Sequence, residues 1–140
     1  MLEIKSKSLS YIVNFLLFIW QLTQVIPGAI GLAIFRNYEV YRNKEANIKV
    51  IKICKGNLFG NACFSCGPFI FVTPDCDDNT IRHETGHSVQ SLWFGVLFHF
   101  VVSIPSICRF WYRRWKKLPS SWYYQAWPEN SAEKRGHTHR

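Results

Sequence analysis

The sequence predicts an α+β, mostly helical membrane protein forming a single domain over residues 1–140, and three observations carry that expectation. Residues 8–35 contain no charged side chain. His83-Glu84-Thr85-Gly86-His87 is an H-E-x-x-H sequence directly preceded by helix-start residues. Between the two lie residues 48–54 and Phe69-Ile70-Phe71-Val72, short apolar runs rich in the branched and aromatic side chains that suit strands. A composition of 48% hydrophobic and 16% aromatic residues is enough to bury a core.

Taken as one helix, Tyr11 to Phe35 would extend about 37 Å, more than the hydrocarbon core of about 30 Å, so residues 8–36 are expected to form a transmembrane helix. A cleaved signal peptide is the alternative, but the apolar stretch is longer than a typical signal core and lacks an A-x-A-like end. Asn14, Gln21 and Gln24 fall near one another on a helical wheel, a polar stripe that should face protein rather than lipid, and Pro27 and Gly28 interrupt the middle. Residues 36–47 then connect to a small antiparallel β element within residues 48–76. Its strands are residues 48–54 and Phe69–Val72, the second ended by Thr73-Pro74-Asp75.

Asp77, Asp78, Asn79 and Thr80 cap exposed amides and suit the positive end of a helix dipole, which starts the H-E-x-x-H helix over residues 78–94. On that helix His83 and His87, at i and i+4, share a face and can both reach one Zn2+, while Glu84 can act as the base for a water at the metal. A hydrolytic zinc site takes a third protein ligand and leaves a position open. After Glu84 the only carboxylates are Glu129 and Glu133. Pro128 fits the start of a short helix over residues 127–136, which would put both on one face. Either one binds the metal and the other orients a ligand histidine, or both are solvated surface acids.

Residues 88–108 are a second stretch free of Asp, Glu, Lys and Arg. A straight span there would deliver Glu129 to the membrane face opposite the histidines. Arg109, Arg113, Arg114, Lys116 and Lys117 forbid a return crossing, since each charge at the bilayer centre costs about 2.5–3.5 kcal/mol. A break near Gly95 or Pro105 resolves the conflict. The expected element is therefore a broken or re-entrant hydrophobic helix, with a basic aromatic anchor, over residues 95–115, leaving on the metal side.

The H-E-x-x-H sequence followed by Glu129-x-x-Ala132-Glu133 resembles the gluzincin zinc metallopeptidases, in particular the E-x-x-A-D pattern of membrane proteases related to the CAAX prenyl protease and the HtpX heat-shock protease. His83 to Ser91, Ile104-Pro105-Ser106 and Glu129 to Glu133 also resemble small bacterial membrane proteins with an H-E-Y-G-H-[ST]-[IV]-Q-S core, Thr85 standing in place of the Tyr. The resemblance implies His83, His87 and Glu129 as zinc ligands and Glu84 as catalytic base. It puts Glu133 where the family has Asp, supporting a ligand histidine. The implied activity is zinc-dependent hydrolysis of a peptide or protein substrate in a bacterial plasma membrane; the rival is a non-enzymatic membrane interaction protein with a structural or relic zinc site. The Phe69–Val72 strand would align an extended substrate if its edge is free. Tyr123, Tyr124 and His99 are available as transition-state donors.

A net charge of +8 raises nucleic acid as a partner, but Arg109-Phe110-Trp111-Tyr112-Arg113-Arg114-Trp115-Lys116-Lys117 directly follows an apolar stretch and no nucleic-acid fold signature accompanies it. Membrane lipid is the expected partner, with Trp and Tyr at headgroup depth and the cations on anionic lipid, and no nucleic acid is expected. The same cluster favours a cytoplasmic C-terminal region and metal site, although Lys5, Lys7, Arg36, Arg42 and Lys44 put positive charge on both sides of the first helix. Of Cys54, Cys63, Cys66, Cys76 and Cys108, the Cys63-x-x-Cys66 pair lacks the second CxxC of a zinc site, so free thiols or disulfides among the first four remain open. The tail with His137 and His139 reads as a polar end.

Overall fold

Lys7–Trp20 forms helix α1 and Leu22–Ile34 forms α2, and between them the chain turns through 91°. The single expected span is thus two helices, broken at Gln21 and not at Pro27 or Gly28. The computed structural model describes residues 7–34, 38–42, 50–55, 63–73 and 76–138. Among them no single helix is long and apolar enough to cross a membrane; two sharply bent pairs reach that length and apolarity only when their halves are taken together, α1 with α2 and Asp78–Leu97 with His99–Lys116.

The bend at Gln21 is set by its partners. Gln21 and Gln24 are fully buried; the Gln21 amide donates to the Ser91 hydroxyl and the Gln24 amide to the Gly95 carbonyl at 2.8 Å. The Trp20 indole donates to the Leu92 carbonyl at 3.1 Å. Three neighbouring side chains therefore serve polar groups at the end of another helix, α3 (Asp78–Phe94). The polar stripe faces protein at Gln21 and Gln24 but not at Asn14, which is exposed. Pro27 sits inside α2 without breaking it. Its ring removes the amide that would bond the Thr23 carbonyl, and His99 Nε2 lies 3.2 Å from that carbonyl instead.

Tyr38–Arg42 (β1), Val50–Lys55 (β2), Phe64–Cys66 (β3) and Phe69–Val72 (β4) form one sheet in the order β1-β2-β4-β3. The expected antiparallel pairing of the second and fourth strands is corrected: β2 and β4 are parallel, while β1 with β2 and β3 with β4 are antiparallel. The two-residue turn Gly67-Pro68, with Gly67 at φ 60°, folds β3 back on β4 and takes up its outer edge. β1 falls within residues 36–47, which the sequence assigns to a connection. Residues 36, 48, 49, 74, 75 and 139, on which other expectations rest, lie outside the described residues. Ile70 and Val72 form the apolar core, with Cys63, Cys76 and Ile81 packed against it.

α3 stops at Gly95, whose φ of 49° suits glycine and whose Cα faces the Trp20 ring so closely that a Cβ would lie 2.0 Å from it. A 3-10 turn (Gly95–Leu97) and a π-helical turn (His99–Ser103) lead into α4 (Ile104–Lys116), bent 120° from α3. The break falls at Gly95; at Pro105 the helix runs on from the preceding turn, and the Val101 carbonyl four residues earlier is met by the Trp127 indole. Arg109 donates to the carbonyls of Trp122 and Tyr123, at 2.7 and 3.0 Å, and so ties α4 to α5 (Ser120–Tyr124). The Trp127 indole donates to the Val101 carbonyl at 3.0 Å, seating the start of α6 (Glu129–Gly136) on the π-helical turn.

Candidate metal centre

Asp77 caps α3 by accepting from the Thr80 amide at 2.8 Å, so the acidic cluster upstream of the histidines starts the helix as its composition indicates. From His83 to Ser88 every residue of α3 is buried. A buried stretch so polar needs a polar partner, and α6 supplies it.

The two helices meet backbone to backbone. A Cβ on Gly86 would lie 1.9 Å from the Ala132 carbonyl oxygen, and one on Gly136 would lie 1.9 Å from the Arg82 carbonyl oxygen. Glu129, Ala132, Glu133 and Gly136 stand at i, i+3, i+4 and i+7, one face of α6, so the small residues that permit close approach also aim both carboxylates at α3. Gly86→Ala should drive the helices apart, and because the obstacle is backbone the cost should reach or exceed the ~1–3 kcal/mol usual for overpacking. Thermal unfolding should register it, together with loss of metal uptake.

Glu129 is completely buried, and its Oε2 lies 3.0 Å from His83 Nε2 and 3.2 Å from His87 Nε2. One ligand atom from each of the three lies within 4.8 Å of the others, an arrangement that can hold a metal ion. The far side of the His87 ring is hydrogen-bonded, and that of His83 faces a carboxylate without a hydrogen bond between them. His87 Nδ1 lies 2.7 Å from the Gln90 side-chain oxygen, and the Gln90 amide donates to the Pro128 carbonyl at 2.9 Å. His83 Nδ1 lies 2.8 Å from Glu133 Oε1, while Glu133 accepts a hydrogen bond from the Thr138 hydroxyl. Both Nε2 atoms are thereby turned to the shared centre, and Glu129 Oε1 is buried without a hydrogen bond of its own. Two imidazoles and one carboxylate are a donor set that suits zinc.

The charges agree with such a site. Burial works against an ionised Glu129, yet hydrogen bonds from His83 and His87 hold its carboxyl well below the usual carboxylate range. Burial would lower the His87 pKa, but the Glu129 hydrogen bond and the Glu84 and Glu129 charges outweigh it and raise it to about 8. In the metal-free protein a proton thus takes the place of a cation between ring and carboxylate. Metal uptake must expel that proton, so affinity should rise about tenfold per pH unit below about pH 8 and level off above it. Competition titrations across that interval would read the slope.

Glu84 is buried on α3 beside β3, where Ser65 hydrogen-bonds its side chain; burial pushes its carboxyl above the usual range, and the two histidines only partly offset this. The Tyr124 ring packs edge-on against His83, centroids 5.2 Å apart. The Tyr123 hydroxyl lies 2.8 Å from the Ser106 hydroxyl, and burial followed by the Glu129 charge pushes its phenol above the ordinary value. His99 stands apart, with Nδ1 3.2 Å from the Ser103 hydroxyl and Nε2 on the Thr23 carbonyl. β4 lies between β2 and β3, so the free edge that would let it align an extended substrate does not exist.

His83, His87, Glu129 and Glu133 are therefore brought together, with Glu84 alongside. Gln90, Gly86 and Gly136 are further parts of the site that a search for metal ligands passes over. Their signal was present: Gln90 follows His87 by one helical turn, and Gly136 continues the Glu129–Ala132–Glu133 face. Compared with known proteins, the chain matches no family model, no curated protein and no solved structure.

Proposed function

We propose that this chain is a membrane-embedded zinc metallopeptidase with His83, His87 and Glu129 as ligands and Glu84 as catalytic base. The observation that carries the reading is the convergence of two imidazoles and a carboxylate from helices 42 residues apart, with a second buried carboxylate beside them. When bound, zinc would polarise a scissile carbonyl and lower the pKa of a water. Glu84, biased by burial toward the neutral acid, is suited to accept a proton from that water and return it to the leaving amine. Tyr123, kept protonated by burial, can donate to a developing oxyanion. Among the described residues the ligand group has three members, which favours a position left to water. With β4 enclosed, β3 is the edge strand that reaches the site, since Ser65 touches Glu84.

Membrane residence rests on what the fold leaves outside. Tyr11, Phe15, Leu16, Ile26, Phe100 and Ile107 are all more than half exposed, while buried positions on α3 are polar. An outer surface of this kind is stable in hydrocarbon and a liability in water. We place residues 8–34 and 92–108 in the bilayer, with Trp111, Trp115 and the neighbouring cations at the headgroups of anionic lipid, the metal site on the cytoplasmic face and no role for nucleic acid.

The burial of all three ligands favours one other reading, a metal that only braces α3 against α6 in a non-enzymatic membrane interaction protein. Metal analysis of the purified protein, with peptide hydrolysis assayed for wild type and Glu84→Gln, separates the two. Stoichiometric zinc with hydrolysis confined to wild type supports the peptidase. Zinc that raises the unfolding temperature without hydrolysis of a broad peptide library favours the brace, and a protein with no zinc affinity defeats both.

A further inference from the structure

Cys63 immediately precedes β3, and Cys76 immediately precedes Asp77, the residue that caps α3. They are 13 residues apart, yet their Sγ atoms lie 3.0 Å from each other, and both side chains pack half-buried on the Ile70 and Val72 core. A disulfide needs about 2.05 Å between the sulfurs, so closure asks for a side-chain movement of about 1 Å, within what rotation about Cα–Cβ supplies. Two of the other cysteines are placed differently. Cys66 ends β3, and exposed Cys108 lies on α4. The Cys63-x-x-Cys66 spacing noted in the sequence is thus not the pair the fold assembles.

We propose that Cys63 and Cys76 form a reversible disulfide that clamps the β3–β4 hairpin to the start of the metal helix. The oxidant is a low-molecular-weight disulfide such as oxidised glutathione. One cysteine thiolate attacks it and expels a glutathione thiolate; the other then attacks the mixed disulfide and expels the second glutathione. Two thiols lose two electrons and two protons, and oxidised glutathione leaves as two molecules of glutathione. The loop closed contains β3, β4 and the turn between them, so the bond holds Ser65, two residues after Cys63, against Glu84. This inference stands apart from hydrolysis and from the metal, and its test reads neither.

The full chain, purified in detergent, is equilibrated across a series of glutathione and oxidised glutathione mixtures, free thiols are alkylated, and the peptides are identified by mass spectrometry. The expected result is one crosslink, Cys63 to Cys76, with a loss of two hydrogens that dithiothreitol reverses. The crosslink should survive in Cys66→Ser and Cys108→Ser and vanish in Cys76→Ser. In wild type, oxidation should slow hydrogen exchange of the β3 and β4 amides by ~10-fold or more relative to the reduced form. Alkylation of Cys63 and Cys76 at every glutathione ratio overturns the proposal, as does a crosslink joining either of them to Cys54 or Cys66. A crosslink without slowed exchange in the hairpin overturns the clamp.

Discussion

Glu129→Ala is expected to abolish zinc binding at concentrations that saturate the wild type, while Glu133→Ala lowers affinity by only the ~10–100-fold typical of a group that orients a ligand. The difference follows from geometry. Glu129 reaches Nε2 of both histidines from a fully buried position, whereas Glu133 faces only the Nδ1 side of His83. The two helices should remain docked in the Glu129 variant, because Gly86 on Ala132 and Gly136 on Arg82 are contacts it leaves in place. Circular dichroism would show the helices retained, and zinc titration against a chromophoric chelator would read the affinity. Unchanged zinc affinity in Glu129→Ala would remove the third ligand and with it the gluzincin-like reading.

Glu84→Gln should keep zinc and lose hydrolysis, with a fall of ~10²–10⁴-fold set by the general-base contribution. The amide preserves the size of the side chain and its contact with Ser65, but cannot accept a proton. It also removes a carboxylate whose ionisation burial opposes, so the variant should unfold at the same temperature as wild type or higher. Peptide turnover, zinc content and thermal unfolding on the same preparation give the three readouts. Equal turnover in both proteins excludes Glu84 as base.

The features legible in the sequence are those whose cause is local. Asp77 caps α3 because its carboxylate finds the Thr80 amide three residues on, and Gly95 ends it because a positive φ favours glycine. The two histidines share a face by helical period alone. Glu129 and Glu133 were legible as candidates because they are the only carboxylates after Glu84. The errors have causes distant in the chain. A run of apolar residues from 8 to 35 reads as one span, but Gln21 and Gln24 turn inward to groups on α3 about 70 residues away. Pro27 looked like the breaker, yet the carbonyl it frees is met by His99, 76 residues on. The edge of β4, on whose freedom substrate alignment was conditional, is taken by β3, which is only three residues long and carries little strand signal.

By itself, then, the sequence determined the shared face of His83 and His87, the start of α3 after Asp77 and its end at Gly95, because each depends on helix period, capping or backbone conformation within one segment. Only the tertiary structure decided the direction of β4 against β2, the break at Gln21, the approach of the free Cys63 and Cys76 thiols to each other, and the depth to which α6 sinks onto α3. That last distance is governed by two glycines meeting carbonyl oxygens of the opposite helix, a steric fit between segments some 50 residues apart. The metal-binding geometry depends on it, since two imidazoles and a carboxylate converge only when the two backbones touch.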